Sequence, residues 1–217
     1  MRTFGYPEFL FILEAAKWTL ALSLIAFIGG AILGLVIALA RTSESKTARG
    51  LAIGFIQIFQ GTPLLLQLFL IFFGAPVIGF DINPWVAAGV ALVLNSSAFL
   101  GQIWRGCIEA IPRGQWEAAD SLSLSYRDRM RDVVLPQAIR IAVAPTVGYM
   151  VQIIKGTSLA AIIGFTEITR AGQIINNATF QPLMVFSAVA AIYFVLCWPL
   201  SLAAAGIERR HRKALAR

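Results

Sequence analysis

The chain has 217 residues, 58% of them apolar and only 13% charged, with one histidine, His211. Soluble domains carry about 25% charged residues, so this composition calls for lipid as solvent. A lone histidine also excludes a histidine-based catalytic centre or metal cluster. The net charge of +7 does not point to nucleic acid, because the basic residues are distributed like those of cytoplasmic membrane loops.

The first apolar run, residues 19–40, has no charge and exceeds the roughly 20 apolar residues that cross a bilayer as a helix. Ala38-Leu39-Ala40 is a conceivable cleavage site. The run is too long for a signal peptide, however, and no basic cluster precedes it, so it reads as a retained span. Charge-free windows predict an all-α membrane protein, one domain over 1–217, with spans at about 18–40, 50–73, 86–105, 138–160 and 183–206.

The second span is interrupted at Gln60-Gly61-Thr62-Pro63, where proline removes a helix hydrogen bond and Gly61 permits close helix approach. The fourth contains Pro145, Gly148, Lys155 and Gly156 and is expected to be kinked or broken. Arg41, Lys46 and Arg49 follow the first span. Arg105, Arg113, Arg127, Arg129, Arg131 and Arg140 fall in the centre, and Arg209, Arg210, Arg212, Lys213 and Arg217 in the tail. The connections around 74–85 and 165–182 hold only Arg170. Basic loops face the cytoplasm, so an odd number of spans puts the N-terminus outside and the C-terminus inside. Cys107 and Cys197 suggest neither a disulfide nor a metal site. Trp18, Trp85, Trp104, Trp116 and Trp198 fall mostly near span ends, as an interfacial belt requires.

Residues 105–140 form an island of charge between oily segments. Ile111-Pro112-Arg113-Gly114 reads as a turn, followed by a short helix from Gln115 to Leu122 with Glu117 and Asp120 near its start, where the helix dipole favours acids. After Ser123-Leu124-Ser125, a second helix is predicted from Tyr126 to about Val134. Leu135-Pro136 is expected to close it, since the residue before proline avoids helix. The two helices would present Ala118, Ala119, Leu122, Leu124 and Met130 at a contact face. The competing reading, a surface helix resting on lipid, is opposed by the small alanine pair.

The spacing Glu117-Ala118-Ala119, three residues, Ser123, nine residues, Val133, one residue, Leu135-Pro136 resembles the EAA loop of binding-protein-dependent ABC importer permeases. The segments IWRGCIEAIPRGQWEAA, LPQAIR, KGTSLAAIIGFTEITRAGQ and QGTPLLLQLF are similar to the polar amino-acid subfamily, and the likeness runs from the first span to Glu208. It implies a type I importer permease in a bacterial inner membrane. Two such subunits, identical or paralogous, would surround one path. Two cytoplasmic ATPases would bind ATP and magnesium, and a periplasmic binding protein would deliver substrate; no cofactor is implied in this chain. By position, Glu117, Ala118, Ala119, Asp120, Leu122, Ser123 and Leu124 would form the coupling element that docks into an ATPase groove. Small residues suit entry into a groove, and acids suit charge-assisted bonds to basic partners.

Two departures stand out. The family has glycine at Ser123; if that position takes a positive φ, serine costs on the order of 1 kcal/mol. Many relatives carry an acid or amide at Gly156, so the path here would be less negative and mildly disfavour cationic substrates.

For the path itself, ionisable residues at membrane depth are functional candidates. Lys155 would attract a substrate carboxylate, unless it snorkels to an interface or pairs with Glu167. Thr157 and Ser158 lie beside it, or cap their own helix. Glu167 and Arg170 would gate the path, meet the binding protein or bind one another. Asn95, with Ser96 and Ser97, and Gln67 either line a wet path or glue helices.

Two other functions fit the composition. An ion-gradient-driven secondary transporter would need intramembrane acids, which the chain lacks away from span edges. A non-transporting adaptor would use the 106–137 loop to recruit a soluble partner and needs no polar path.

Overall fold

A computed structural model describes the backbone of residues 3–215 and the side chains of residues 3–210. His211, Arg212, Lys213 and Arg217 of the basic tail lie outside the described side chains. Among the described residues the chain is helical, in the order α1 (Tyr6–Thr42), α2 (Lys46–Gly61), α3 (Leu64–Val77), α4 (Pro84–Glu109), α5 (Arg113–Ser121) and α6 (Tyr126–Asp128). A π-helical stretch (Arg129–Val134) leads into α7 (Leu135–Gly156), a 3-10 segment (Thr157–Ile163), α8 (Ile168–Thr179) and α9 (Pro182–Leu215).

Among the described residues four helices are long and apolar enough to cross a membrane, or five spans if the bent pair α2–α3 counts as one. α1 starts well before the predicted edge at residue 18 and has 37 residues, about 55 Å at 1.5 Å per residue, against a hydrocarbon core of about 30 Å. Pro7 sits in its first turn, where its missing N–H costs nothing. The Glu8 carboxylate accepts the Gly5 N–H at 3.0 Å, and Glu14 pairs with Lys17 one turn on.

The α1–α4 contact is the most extensive in the fold, and small residues make it possible. A Cβ on Gly30 would stand 2.7 Å from Ser96 Cβ, and one on Gly34 only 3.1 Å from the Ser97 carbonyl oxygen. Such backbone-to-backbone approach substitutes dispersion for the hydrophobic drive that lipid removes. Leu22 and Ala26 of α1 pack with Ala88, Ala91 and Leu92 of α4 and Ile153 of α7 in the central cluster. A second cluster joins Ile12 and Ala16 of α1 to Ile168 and Ala171 of α8 and Val185 and Val189 of α9.

One expectation is borne out and one corrected. The second span does break at Pro63, where α2 and α3 meet at 100°. Thr62 (φ −114°, ψ 141°) and Pro63 (φ −60°, ψ 135°) are both extended, since the residue before proline is pushed out of helix. Leu135-Pro136, by contrast, does not close the second loop helix. The Leu135 N–H bonds the Met130 carbonyl five residues back, and this wider π turn absorbs the proline so that helix runs on into α7. The fourth span also passes through Pro145 without ending, tightening to 3-10 only after Gly156.

Candidate functional site

The charged island folds into a compact hairpin. α5 spans Arg113–Ser121, two residues earlier than predicted at its start and one at its end. It stops in a Schellman arrangement: the Ser123 N–H bonds the Asp120 carbonyl at 2.8 Å and the Leu124 N–H the Ala119 carbonyl at 3.2 Å. That motif needs a left-handed residue after the cap, and Ser123 supplies it at φ 55°. The glycine expected from the resemblance is thus a conformational requirement that serine meets under strain. Ser125 then caps α6, accepting the Asp128 N–H at 3.3 Å.

The hairpin has a small core of its own. Ile108, Ile111, Met130, Val134 and Ala138 are buried together, with Trp116, Tyr126, Val133 and Leu135 packed against them. This corrects the predicted contact face. Ala119 is 2% exposed and Met130 5%, and Leu124 is half-buried. Ala119 lies three residues from Trp116, on the same face of α5, so both turn inward. Asp120 is ion-paired with Arg129 across the hairpin yet keeps an exposed side chain. Glu117, Ala118, Leu122 and Ser123 are exposed as well, Leu122 at 75%.

The second candidate group lies at the break in the second span. Pro63 has no N–H for the Phe59 carbonyl four residues back, and lipid cannot satisfy that oxygen. Gln67 Nε2 donates to it at 2.9 Å and also to the Thr62 carbonyl at 3.0 Å. Asn95 Nδ2 donates to Phe59 O and to Gln67 Oε1, both at 3.2 Å. Gln67 and Asn95 are therefore glue that holds α4 to the corner between α2 and α3. Gln60 adds a bond to the Ala98 carbonyl at 3.2 Å.

Of the remaining path candidates, Thr157 is fully buried and its hydroxyl donates to the Ile154 carbonyl at 2.7 Å. The Ser158 hydroxyl donates to the Lys155 carbonyl at 2.7 Å while the residue stays half-buried. Lys155 is exposed, and among the described residues it forms no ion pair, with Glu167 or any other acid. A Cβ on Gly156 would meet Leu64 Cδ2 at 3.3 Å and Leu92 Cδ2 at 3.5 Å.

Glu167, in the connector before α8, has no exposed surface. It caps α8 through the Arg170 backbone N–H at 2.9 Å and accepts the Tyr193 hydroxyl at 2.6 Å. Burial raises the pKa of its carboxyl, while the bonds donated by Tyr193, Thr169 and Arg170 pull the other way. The Arg170 guanidinium does not pair with Glu167; it donates to Gln173 at 3.3 Å. Tyr193, and Thr19, whose hydroxyl accepts the Ile168 N–H at 3.3 Å, had no signal in the sequence. They lie on other helices, and nothing in their local pattern sets them apart.

Two substitutions test these assignments. Ser123→Gly relieves the left-handed strain, a gain of up to about 1 kcal/mol, and raises the thermal midpoint in detergent by roughly 2–4 °C. Gln67→Leu leaves the Thr62 carbonyl without its Gln67 donor and the Phe59 carbonyl with Asn95 alone, costs about 1–3 kcal/mol and lowers the same midpoint.

The arrangement, a bundle of apolar helices with a compact hairpin joining two of them, has close counterparts. The chain is 37% identical over 207 residues to the "Glutamine transport system permease protein GlnP" of Escherichia coli K12, covering 94% of each chain. It is 37% identical over 190 residues to the "Probable amino-acid ABC transporter permease protein YckA" of Bacillus subtilis, covering 88% of this chain and 84% of that one. A solved "amino acid ABC transporter with histidines" superposes with a TM-score of 0.88 at 33% identity, over 96% of this chain and 100% of the other. Residues 16–213 match the family model described as binding-protein-dependent transport system inner membrane component. The chain belongs to the family of inner-membrane components of binding-protein-dependent ABC transport systems.

Proposed function

We propose that the chain, paired with a second permease subunit, forms the translocation path of an ATP-driven importer for a polar amino acid handed over by a periplasmic binding protein. The observation that carries this reading is the hairpin. It holds its shape by its own core and turns Glu117, Ala118 and Leu122 outward. A small residue flanked by an acid and a bulky apolar side chain suits a groove with basic walls, and the cytoplasmic ATPases are the partners that supply one. ATP and magnesium belong to those ATPases; no chemical step is assigned to this chain. The N-terminus lies outside and the C-terminus in the cytoplasm, as the distribution of Arg and Lys requires.

On the path, Lys155 and Ser158 carry the reading, being accessible where Thr157 and Glu167 are buried. The ammonium of Lys155 would meet the substrate carboxylate. Gln67 and Asn95 support the path wall from behind. Relatives named for glutamine and L-cystine transport fit a zwitterionic cargo, and glycine at 156 leaves no carboxylate there to draw cations.

The test is a pull-down of tagged chain from its native membranes in detergent, beside Glu117→Arg. An ABC ATPase co-purifies with the native chain, and the variant, recovered folded, loses it. A folded variant that retains the ATPase at the native level, or its absence from both samples, contradicts the assignment.

A further inference from the structure

The hairpin grows out of α4 and into α7, so its motion reaches those two spans directly through the chain. Its connection to the first two helices is a single bond. The Tyr126 hydroxyl donates to the Thr42 carbonyl at 2.8 Å across 84 residues of sequence. Among the described residues, it is the one hydrogen bond or ion pair that joins the 113–134 segment to α1 or α2.

The acceptor is well chosen. Thr42 is the last residue of α1, and its carbonyl is one of the four that a helix C-terminus leaves without an internal donor. The donor is held firmly. Tyr126 is the first residue of α6, behind the Ser125 cap, and its ring packs on the hairpin core beside Met130 and Val134. The Arg129–Asp120 ion pair fixes α5 to the same turn of helix.

What lies beyond Thr42 makes the link consequential. Ser43, Glu44 and Ser45 form a tight corner into α2, where Ser45 caps the new helix by accepting the Ala48 N–H at 3.3 Å. α2 ends at the extended Thr62-Pro63 corner, where Gln67 holds the Phe59 and Thr62 carbonyls and Asn95 the Phe59 carbonyl. α2 thus runs from the Thr42 corner directly to that bend.

We propose that Tyr126 is a positioning residue for coupled transport: a strut through which the ATPase-driven hairpin moves the α1–α2 corner together with α4 and α7. The inference rests on the hairpin being the ATPase-docking element. With the strut cut, α4 and α7 still follow the ATPase, and α1 follows α4 along their packed length, while the α1–α2 corner at Thr42 lags and ATP is hydrolysed with less cargo crossing.

The experiment uses the whole complex, permease with its co-purified ATPase and binding protein, in proteoliposomes, comparing native chain with Tyr126→Phe. Amino acid taken up and phosphate released are measured in the same vesicles. Transport per ATP hydrolysed falls roughly three- to tenfold, the factor one hydrogen bond is worth, while the ATPase still co-purifies. An unchanged ratio overturns the inference but leaves the docking assignment intact; failure of the ATPase to co-purify with the native chain removes the docking assignment itself. A second arm guards against a variant that assembles poorly. Thr42→Cys and Tyr126→Cys, on a chain with Cys107→Ala and Cys197→Ala, are joined by a short bifunctional thiol reagent. Tyr126→Cys cuts the strut, so transport per ATP is low before cross-linking and rises toward the native ratio once the reagent rebuilds the link; a ratio that cross-linking leaves unchanged or lowers overturns the inference.

Discussion

Everything in this fold answers to one constraint. At membrane depth a backbone N–H or C=O without a partner costs several kcal/mol, and no water is there to relieve it. A straight helix satisfies the demand locally, but a transporter needs helices that bend and end inside the bilayer. Each departure from α-helix therefore carries its own repair. At Pro63 the Phe59 and Thr62 carbonyls are taken over by Gln67 and Asn95. At Pro136, in the charged island beside the fourth span, the ladder likewise widens to a π turn, with Leu135 bonding Met130. After Gly156 the helix tightens to 3-10 and Thr157 bonds back to Ile154. At the start of α8, the buried Glu167 carboxylate covers the Arg170 N–H while Tyr193 holds its other oxygen.

The same repairs occupy several of the polar residues that the sequence offers as a cargo path. Gln67, Asn95, Thr157 and Glu167 each bond backbone, and Asn95 also bonds Gln67 and Glu167 also Tyr193. Lys155 and Ser158 retain accessible surface. The same economy shapes the hairpin. Ala119 and Asp120 hold it together, Ala119 by packing and Asp120 by its bond to Arg129. Glu117, Ala118 and Leu122 stay exposed. The left-handed Ser123 turn, the small core and the ion pair together hold the hairpin in one shape.

Much of this was legible in advance. Apolar windows locate membrane helices because length and charge alone decide what lipid tolerates, and all five windows correspond to helical segments. The EAA spacing named the family correctly, and the demand for a left-handed residue at Ser123 followed from a missing glycine. What escaped reading depends on partners distant in sequence. Residues 6–17 carry Glu8, Glu14 and Lys17, so no charge-free window includes them, although local bonds let α1 extend through them. Pro63 announces a break but not an angle of 100°, which depends on where α4 offers Asn95. The inward turn of Ala119 depends on Trp116 finding the hairpin core. Proline at 136 signals an end that a π turn evades.

The central claim is that this chain moves cargo because an ATPase pulls on its hairpin, not because an ion gradient acts on its spans. The most direct test is uptake of a radiolabelled neutral polar amino acid into proteoliposomes holding the assembled complex, with the binding protein outside and ATP inside. The account predicts uptake that needs internal ATP and binding protein together and is indifferent to an imposed proton or sodium gradient. Gradient-driven uptake by the permease alone, without ATP or ATPase, would contradict it.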